Sequence, residues 1–390
     1  MKIGYFSSRF PYDDIHVKRV DYPFGGSVIA TYQLILAMRE YGHQISVFTT
    51  ANNGKDSIET MKDMNIYRYS TNLRILSSSV SLKQFYKPFS KEVDIVHVSF
   101  DIPPHPLAGL RYARRKELPL VVTYHGDWDE EYGSPIRKIG VHFCNSIITK
   151  NILDRADVII SPSKSYIKKS NFLRNHQEKV VVVPNGVDLT QFEVNLSTQE
   201  CRGLLNLPQD KKIVLFFGFL SPYKGPDILL KALPLIVKDI PNIFLVFAGD
   251  GILRKDLELL SEELNLKKYV RFCGFIDDVV IKSLYYHAAD VYCLPSLMEC
   301  FPITILESMA SGTPVVASDI GGIPDIITDK KDGKLVEPNN SEELAKAIIW
   351  VLNNYSEIKF GYTGKEKMQK FSWKTIAAQT NEIYQQLVGV

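Results

Sequence analysis

The stretch DVYCLPSLMECFPITILESMASGTPVVASD, residues 290–319, decides how the chain folds. DVYCLPS is a near-continuous apolar run of strand length, and PVVASD is another, as expected of parallel strands buried on both faces. Between them Pro302 suits the first position of a helix, ITILESMAS continues it, and Gly312 stops it. Strand, helix and strand in that order make a parallel crossover unit. Glu299 then falls in the loop ahead of the helix and Glu307 in its second turn.

The same alternation runs through the whole chain. Strand candidates in the first half are KIGYFSS, QISVFTT, DIVHVS, LPLVVTYHG, DVIISPS and KVVVVPNG; in the second half they are KIVLFFGF, IFLVFAGD, VRFCGF, DVYCLPS, PVVASD and GKLVEP. Between them lie amphipathic segments such as SVIATYQLILAMREYG, closed by Gly42, and ILRKDLELLSEELNL, with Leu253, Leu257, Leu260 and Leu264 on one face. Two such series predict two doubly wound parallel sheets, of Rossmann type. The polar stretch between them predicts a linker near residues 188–210.

With 390 residues, 45% hydrophobic and 23% charged, the chain has room for two or three domains of roughly 150 residues each. No charged n-region with an apolar h-region opens it, and no run reaches the roughly 18 apolar residues of a membrane helix. A cytoplasmic protein is expected. Cys144, Cys201, Cys273, Cys293 and Cys300 are odd in number and contain no CxxC pair, so they read as reduced core thiols. Residues 1–190 hold 25 Lys+Arg against 19 Asp+Glu, leaving 21 against 25 for the remainder. The basic clusters RYARRKE (111–117) and SYIKKSNFLRNHQEK (165–179) are either a solvated surface or a contact for anionic headgroups or an acidic acceptor. No motif accompanies them that would indicate nucleic acid, and no amphipathic membrane helix is evident in the pattern.

Open parallel sheets bind ligands beyond the carboxyl ends of their strands. Gly25-Gly26-Ser27, His125-Gly126-Asp127, Asn185-Gly186, Lys224-Gly225, Gly249-Asp250-Gly251 and Gly321-Gly322 all fall just after strand candidates. A carboxylate accepts hydrogen bonds in pairs, which suits adjacent sugar hydroxyls, and a helix N-terminus suits a phosphate. From spacing alone Glu299 and Glu307 serve that chemistry, or are a capping acid and a surface glutamate.

Glu299 with Glu307, followed by SMASGTPVVASDIGGIPDII and DGKLVEP, resembles the E-x7-E region of the retaining GT-B glycosyltransferases of family four. PFGGSVIATYQLILAMREYGHQISVFTT, VVTYHGD, VVVVPNGVD, FFGFLSPYKGPDILLKAL and FAGDG resemble the other landmarks of that family, in its order. The resemblance implies two Rossmann-like domains facing a cleft, 1–190 on the acceptor side and 191–371 for a nucleotide sugar, with a helix 372–390 crossing back to the first domain or capping its own. It implies that Gly26 approaches the diphosphate, His125 bonds the transferred sugar and Lys224 neutralises the diphosphate. Glu299 and the backbone N–H groups of Phe301, Ile303 and Thr304 would hold sugar and phosphate, Glu307 the ribose, and Gly249 and Phe275 would lie by the base. Transfer is expected to retain anomeric configuration and to need no metal and no cofactor beyond a UDP- or GDP-sugar.

Two residues depart from the family pattern. Phe219 stands where an arginine is frequent, and Pro302 donates no N–H. The acceptor is a sugar, a polysaccharide or a lipid-linked group, and a lipid-linked one implies peripheral contact at the inner membrane face. The competing readings are another GT-B activity, such as a nucleotide-sugar epimerase, and a non-catalytic nucleotide-sugar-binding subunit.

Overall fold

The computed structural model describes residues 1–12, 25–51, 54–75, 78–100, 105–128, 134–358 and 360–389. It divides the chain into two units, Met1–Asn185 with Trp373–Val390, and Gly186–Ser372.

The first unit holds β1 (Lys2–Phe6), β2 (Gln44–Thr50), β3 (Ser57–Met61), β4 (Met64–Tyr69), a separate hairpin of β5 (Leu73–Ile75) and β6 (Ser78–Val80), then β7 (Ile95–Phe100), β8 (Leu120–Tyr124), β9 (Val158–Ser161) and β10 (Val180–Val182). Its main sheet runs β10-β9-β8-β7-β1-β2-β4-β3, parallel throughout except where β3 pairs antiparallel with β4. That edge hairpin was not visible in the sequence pattern. Its turn residues Lys62 (φ 48°) and Asp63 (φ 65°) are both left-handed, a geometry usually announced by Asn-Gly or Asp-Gly.

On one face of this sheet Leu34, Ile35 and Met38 of helix Gly26–Met38 pack with Ile376, Ala377, Ile383 and Tyr384 of helix Trp373–Val388. The last helix of the chain therefore completes the core of the first unit. Tyr384 Oη lies 2.8 Å from Tyr5 Oη and also hydrogen-bonds His97 Nδ1, so its burial leaves no polar atom stranded.

The second unit holds β11 (Lys212–Phe217), β12 (Ile243–Ala248), β13 (Val270–Gly274), β14 (Val291–Leu294), β15 (Val315–Ser318) and β16 (Lys334–Val336) in the order β13-β12-β11-β14-β15-β16, all parallel. Alternate residues feed two cores. Ile213, Leu215, Tyr292 and Leu294 face helices Val279–Ala288 and Ile303–Ala310, while Val214, Phe216, Val291 and Cys293 face helices Pro226–Asp239 and Ser341–Ile358. All five cysteines are free thiols.

Two expectations are corrected. Residues 188–210 are not a linker: Phe192, Cys201 and Leu207 are buried in the second unit, and Ser197 with Glu200 forms a capping box on helix Thr198–Leu204. Arg202, itself buried, reaches Ala288 O at 2.9 Å and Asp290 at 2.6 Å. The polar letters there are those of a capped surface helix, whose few apolar positions still reach the core. Pro302 precedes the first helical residue (φ −74°, ψ 118°) rather than occupying it.

Replacing Tyr384 by alanine should destabilise the first unit by about 3–5 kcal/mol, because it opens a cavity and strips Tyr5 and His97 of a partner. Denaturant unfolding should show one transition shifted and the transition of the second unit unchanged.

Candidate functional site

In the second unit, numbered from β11, the strand order is 3-2-1-4-5-6, and the direction of winding reverses between β11 and β14. Loops leaving the two strands diverge there and open a crevice at their carboxyl ends. The loop after β11 carries Phe219 and Lys224; the loop after β14 carries Glu299. Glycines lock these loops against each other. A Cβ on Gly225 (φ 64°) would stand 2.2 Å from Pro295 O, and one on Gly321 (φ 53°) only 1.7 Å from Glu299 O. Leu297 N–H donates to Tyr223 O at 2.7 Å, a further tie between the lysine loop and the glutamate loop.

Within this frame Lys224 Nζ donates to Glu299 Oε1, which also accepts Ser296 Oγ at 3.0 Å. Both members of the pair are largely shielded, with side-chain exposures of 18% and 9%. Burial by itself lowers the Lys224 pKa, but the Glu299 carboxylate, then Tyr223, outweigh it and hold the ammonium above its ordinary value. Ser221 Oγ, in the same loop as Lys224, is buried with no hydrogen-bond partner among the described residues.

Glu307 is 6% exposed, so it is not the surface glutamate of the alternative reading. Lys282 Nζ donates to its Oε1 and Tyr286 Oη to its Oε2 at 3.0 Å. Tyr292 lies near both glutamates: burial first, then Glu299 and Glu307, push its pKa well up, with Thr304 acting in the opposite sense. Phe301 is buried, and Ile303 and Thr304 form the first turn of helix Ile303–Ala310. Phe219 stacks on Phe275 with ring centroids 6.4 Å apart, so an aromatic face occupies the place of the family's arginine. Gly249 (φ 151°) would drive a Cβ to 1.8 Å from Gly218 O, so close backbone approach requires glycine there.

The first unit contains Gly26 and His125. Gly26 starts its helix, and apart from its chain neighbours and its own helix backbone no described atom lies within 4 Å of where its Cβ would be. His125 follows β8 and is held by a chain of hydroxyls. Thr31 Oγ1 donates to Ser27 O at 2.9 Å, Ser99 Oγ lies 2.8 Å from Thr31 Oγ1, and His125 Nε2 lies 3.1 Å from Ser99 Oγ. A hydroxyl has one proton. With that of Thr31 given to Ser27 O, Ser99 donates to Thr31 and must accept from His125, so His125 is N–H at Nε2 and carries its lone pair on Nδ1. Burial pulls its pKa down to about 4. His97, between Thr123 Oγ1 at 2.7 Å and Tyr384, is pulled down to about 3 by burial and then by His125. Asp127 of the His-Gly-Asp run is a local tie, accepting from Tyr124 Oη at 2.8 Å and Ser170 Oγ at 2.6 Å.

Two Rossmann-type units in one chain are the build of the GT-B class of glycosyltransferases. The chain belongs to glycosyltransferase family four: the profile described as Glycosyltransferase Family 4 matches residues 24–191, and that described as Glycosyl transferases group 1 matches residues 197–367. An uncharacterised glycosyltransferase of Methanocaldococcus jannaschii is 36% identical over 58% of this chain and 59% of its own length. A phosphatidyl-myo-inositol mannosyltransferase of Mycolicibacterium smegmatis is 27% identical over 94% of this chain and 91% of its own. Among solved structures, sucrose-phosphate synthase from Thermosynechococcus elongatus superposes with a TM-score of 0.77 at 25% identity, covering 100% of this chain and 99% of that one.

Sequence reasoning missed Lys282 and Tyr286 as partners of Glu307, and Thr31 and Ser99 as supports of His125. Strand pairing places Ser99 opposite Thr123, two residues before His125, a relation that no linear spacing displays.

Two outcomes test this geometry. Gly321→Ala should cost at least about 1–2 kcal/mol from its left-handed backbone alone and displace the Glu299 loop; thermal unfolding reads the first and amide spectra of the loop the second. The depressed histidine pKa values mean that the unfolded chain binds protons between about pH 6.5 and pH 4 while the folded chain does not. The stability contributed by keeping these histidines buried and neutral is therefore complete above pH 6.5 and is lost as pH drops through that window. Imidazole nitrogen spectra at neutral pH should show His125 neutral with its proton on Nε2, and Ser99→Ala should mix the two tautomers.

Proposed function

We propose that the protein transfers a hexosyl group from a nucleoside-diphosphate sugar to an acceptor hydroxyl with retention of anomeric configuration, and without a divalent ion. The observation that carries this reading is the Lys224–Glu299 pair at the switch point, ahead of the N-terminus of helix Ile303–Ala310. Cleavage of the bond from the sugar C1 to the diphosphate oxygen leaves negative charge on phosphate. A lysine whose pKa is raised, the N–H groups of Phe301, Ile303 and Thr304, and the Ser221 hydroxyl, which has no partner among the described residues, are the groups to meet it.

Glu299 is held by a cation and a hydroxyl, so its role is to orient the sugar rather than attack it. The acceptor oxygen bonds C1 on the face the phosphate leaves, and its proton passes to the departing phosphate oxygen. Nδ1 of His125 accepts a hydrogen bond from a sugar hydroxyl, and Gly26, without a side chain at the start of its helix, lets its backbone approach a diphosphate. Glu307, fixed by Lys282 and Tyr286, keeps lone pairs for the ribose hydroxyls. Gly249 and the stacked Phe275 and Phe219 flank the base of a UDP- or GDP-sugar. The name of the mycolicibacterial relative favours a lipid-borne acceptor over a free sugar.

Release of free nucleoside diphosphate, measured with and without candidate acceptors across UDP- and GDP-sugars, tests the reading. Acceptor-dependent release supports it, whereas tight binding without release identifies a non-catalytic subunit. Donor affinity should survive chelator, and a loss restored by magnesium or manganese would overturn metal independence. Glu307→Gln should weaken nucleoside diphosphate and nucleotide sugar alike by roughly 1.5–3 kcal/mol, while Glu299→Gln should lower turnover and leave nucleoside diphosphate binding nearly intact.

A further inference from the structure

Helix Pro135–Phe143 continues through a π-helical turn, Cys144–Thr149, and its polarity is inverted for a globular protein. Ile136, Ile139, Phe143 and Ile147 are 83%, 72%, 57% and 47% exposed. Their spacing of three, four and four puts them on one stripe. The two fully shielded residues are polar instead: Asn145 is 4% exposed and donates to Trp128 O at 2.9 Å, and Thr149 is fully buried, while Val141, Cys144 and Ile148 are half-buried. A helix that hides asparagine and threonine while showing isoleucine and phenylalanine to solvent is built to be covered.

The charge around the stripe indicates what covers it. From Tyr132 to Leu153 the sequence contains Arg137, Lys138 and Lys150 and no acidic residue; the acids Asp129, Glu130 and Glu131 all precede Pro135. Lys138 and Lys150 are exposed. Large apolar side chains on one stripe, flanked by lysine and free of acid, are the composition of a helix that lies in a membrane interface. The stripe, from Ile136 to Ile147, is about 17 Å long at roughly 1.5 Å per residue, enough to lie in the headgroup layer and too short to span the bilayer. Among the described residues no helix is long and apolar enough to cross a membrane.

We infer that the stripe Ile136, Ile139, Phe143 and Ile147 docks the first unit on an anionic lipid surface. This deepens the lipid-acceptor reading above and rests on it only for the purpose of docking, since the stripe holds none of the residues assigned to the sugar donor. It relocates the membrane contact from the 111–117 cluster, where Arg111, Arg114, Arg115 and Lys116 are solvated residues of helix His105–Lys116.

The test is cosedimentation with vesicles of phosphatidylcholine containing roughly one-third phosphatidylglycerol, against phosphatidylcholine alone, at low and high salt. The wild-type protein should bind the anionic vesicles and be released by salt. Ile139→Glu with Phe143→Glu should lower binding by about tenfold or more, whereas neutralising Arg111, Arg114, Arg115 and Lys116 should leave most of it. Thermal shift with a nucleotide sugar checks that the double variant is folded, and its donor response should be unchanged. Phe143→Trp offers a second readout that leaves the stripe apolar: the indole fluorescence should be quenched by brominated acyl chains. Absence of wild-type binding at low salt, retention of binding by the double variant, or unquenched indole fluorescence in the Phe143→Trp variant would overturn the proposal. So would a concentration-dependent dimer abolished by the double variant, which would assign the stripe to a second copy of the chain. Failure of nucleotide sugars to bind, with vesicle binding intact, would sink the donor reading alone.

Discussion

The loops at the switch point of the second unit are organised around the ion pair between Lys224 and Glu299, and that pair depends on two glycines. Opposite charges brought out of water gain from each other only when their geometry is fixed and their remaining lone pairs are satisfied. Ser296 takes up one such lone pair, and the glycines fix the geometry by letting Gly225 sit against Pro295 O and Gly321 against Glu299 O. The strand order brings the two loops together. Gly225 lets the lysine loop approach the glutamate loop, and Gly321, in the loop after β15, lets a third loop approach Glu299, at distances any side chain would forbid.

The first unit solves a different problem, the placement of one uncharged imidazole. A one-way series of donors runs from His125 Nε2–H through Ser99 and Thr31 to Ser27 O, and so leaves Nδ1 to accept. Burial keeps both His97 and His125 neutral at neutral pH. The same burial joins the final helix to this network, since Tyr384 contributes both a ring to the core and a hydroxyl to His97. A residue six positions from the end of the chain thus supports the strand that carries Ser99 toward His125.

The pattern reading failed where local chemistry was unusual or where side chains act against the common rule. The turn at Lys62-Asp63 adopts left-handed angles with residues that do not advertise them, so β3 and β4 escaped notice. The segment 188–210 is polar on average, yet buried Phe192, Cys201 and Leu207 anchor it, and average composition conceals such anchors. Helix Pro135–Phe143 shows its apolar stripe outward, and periodicity gives the stripe without saying which way it faces.

The sequence alone determined most of the parallel strands, their alternation with helices, and therefore two parallel sheets with ligand-binding loops at their carboxyl ends. It also placed Lys224, Glu299, Glu307 and His125 in such loops or at their edge, because motifs of this kind are local in the chain. Tertiary structure alone decided which groups meet. Lys224 and Glu299 are 75 positions apart, and Lys282 and Glu307 are 25 apart. Strand order and backbone approach close those separations, and both are settled by packing across the sheet. Which face of a helix is buried, which tautomer an imidazole holds and which cation a carboxylate finds are properties of neighbours in space, and a linear spacing of residues does not contain them.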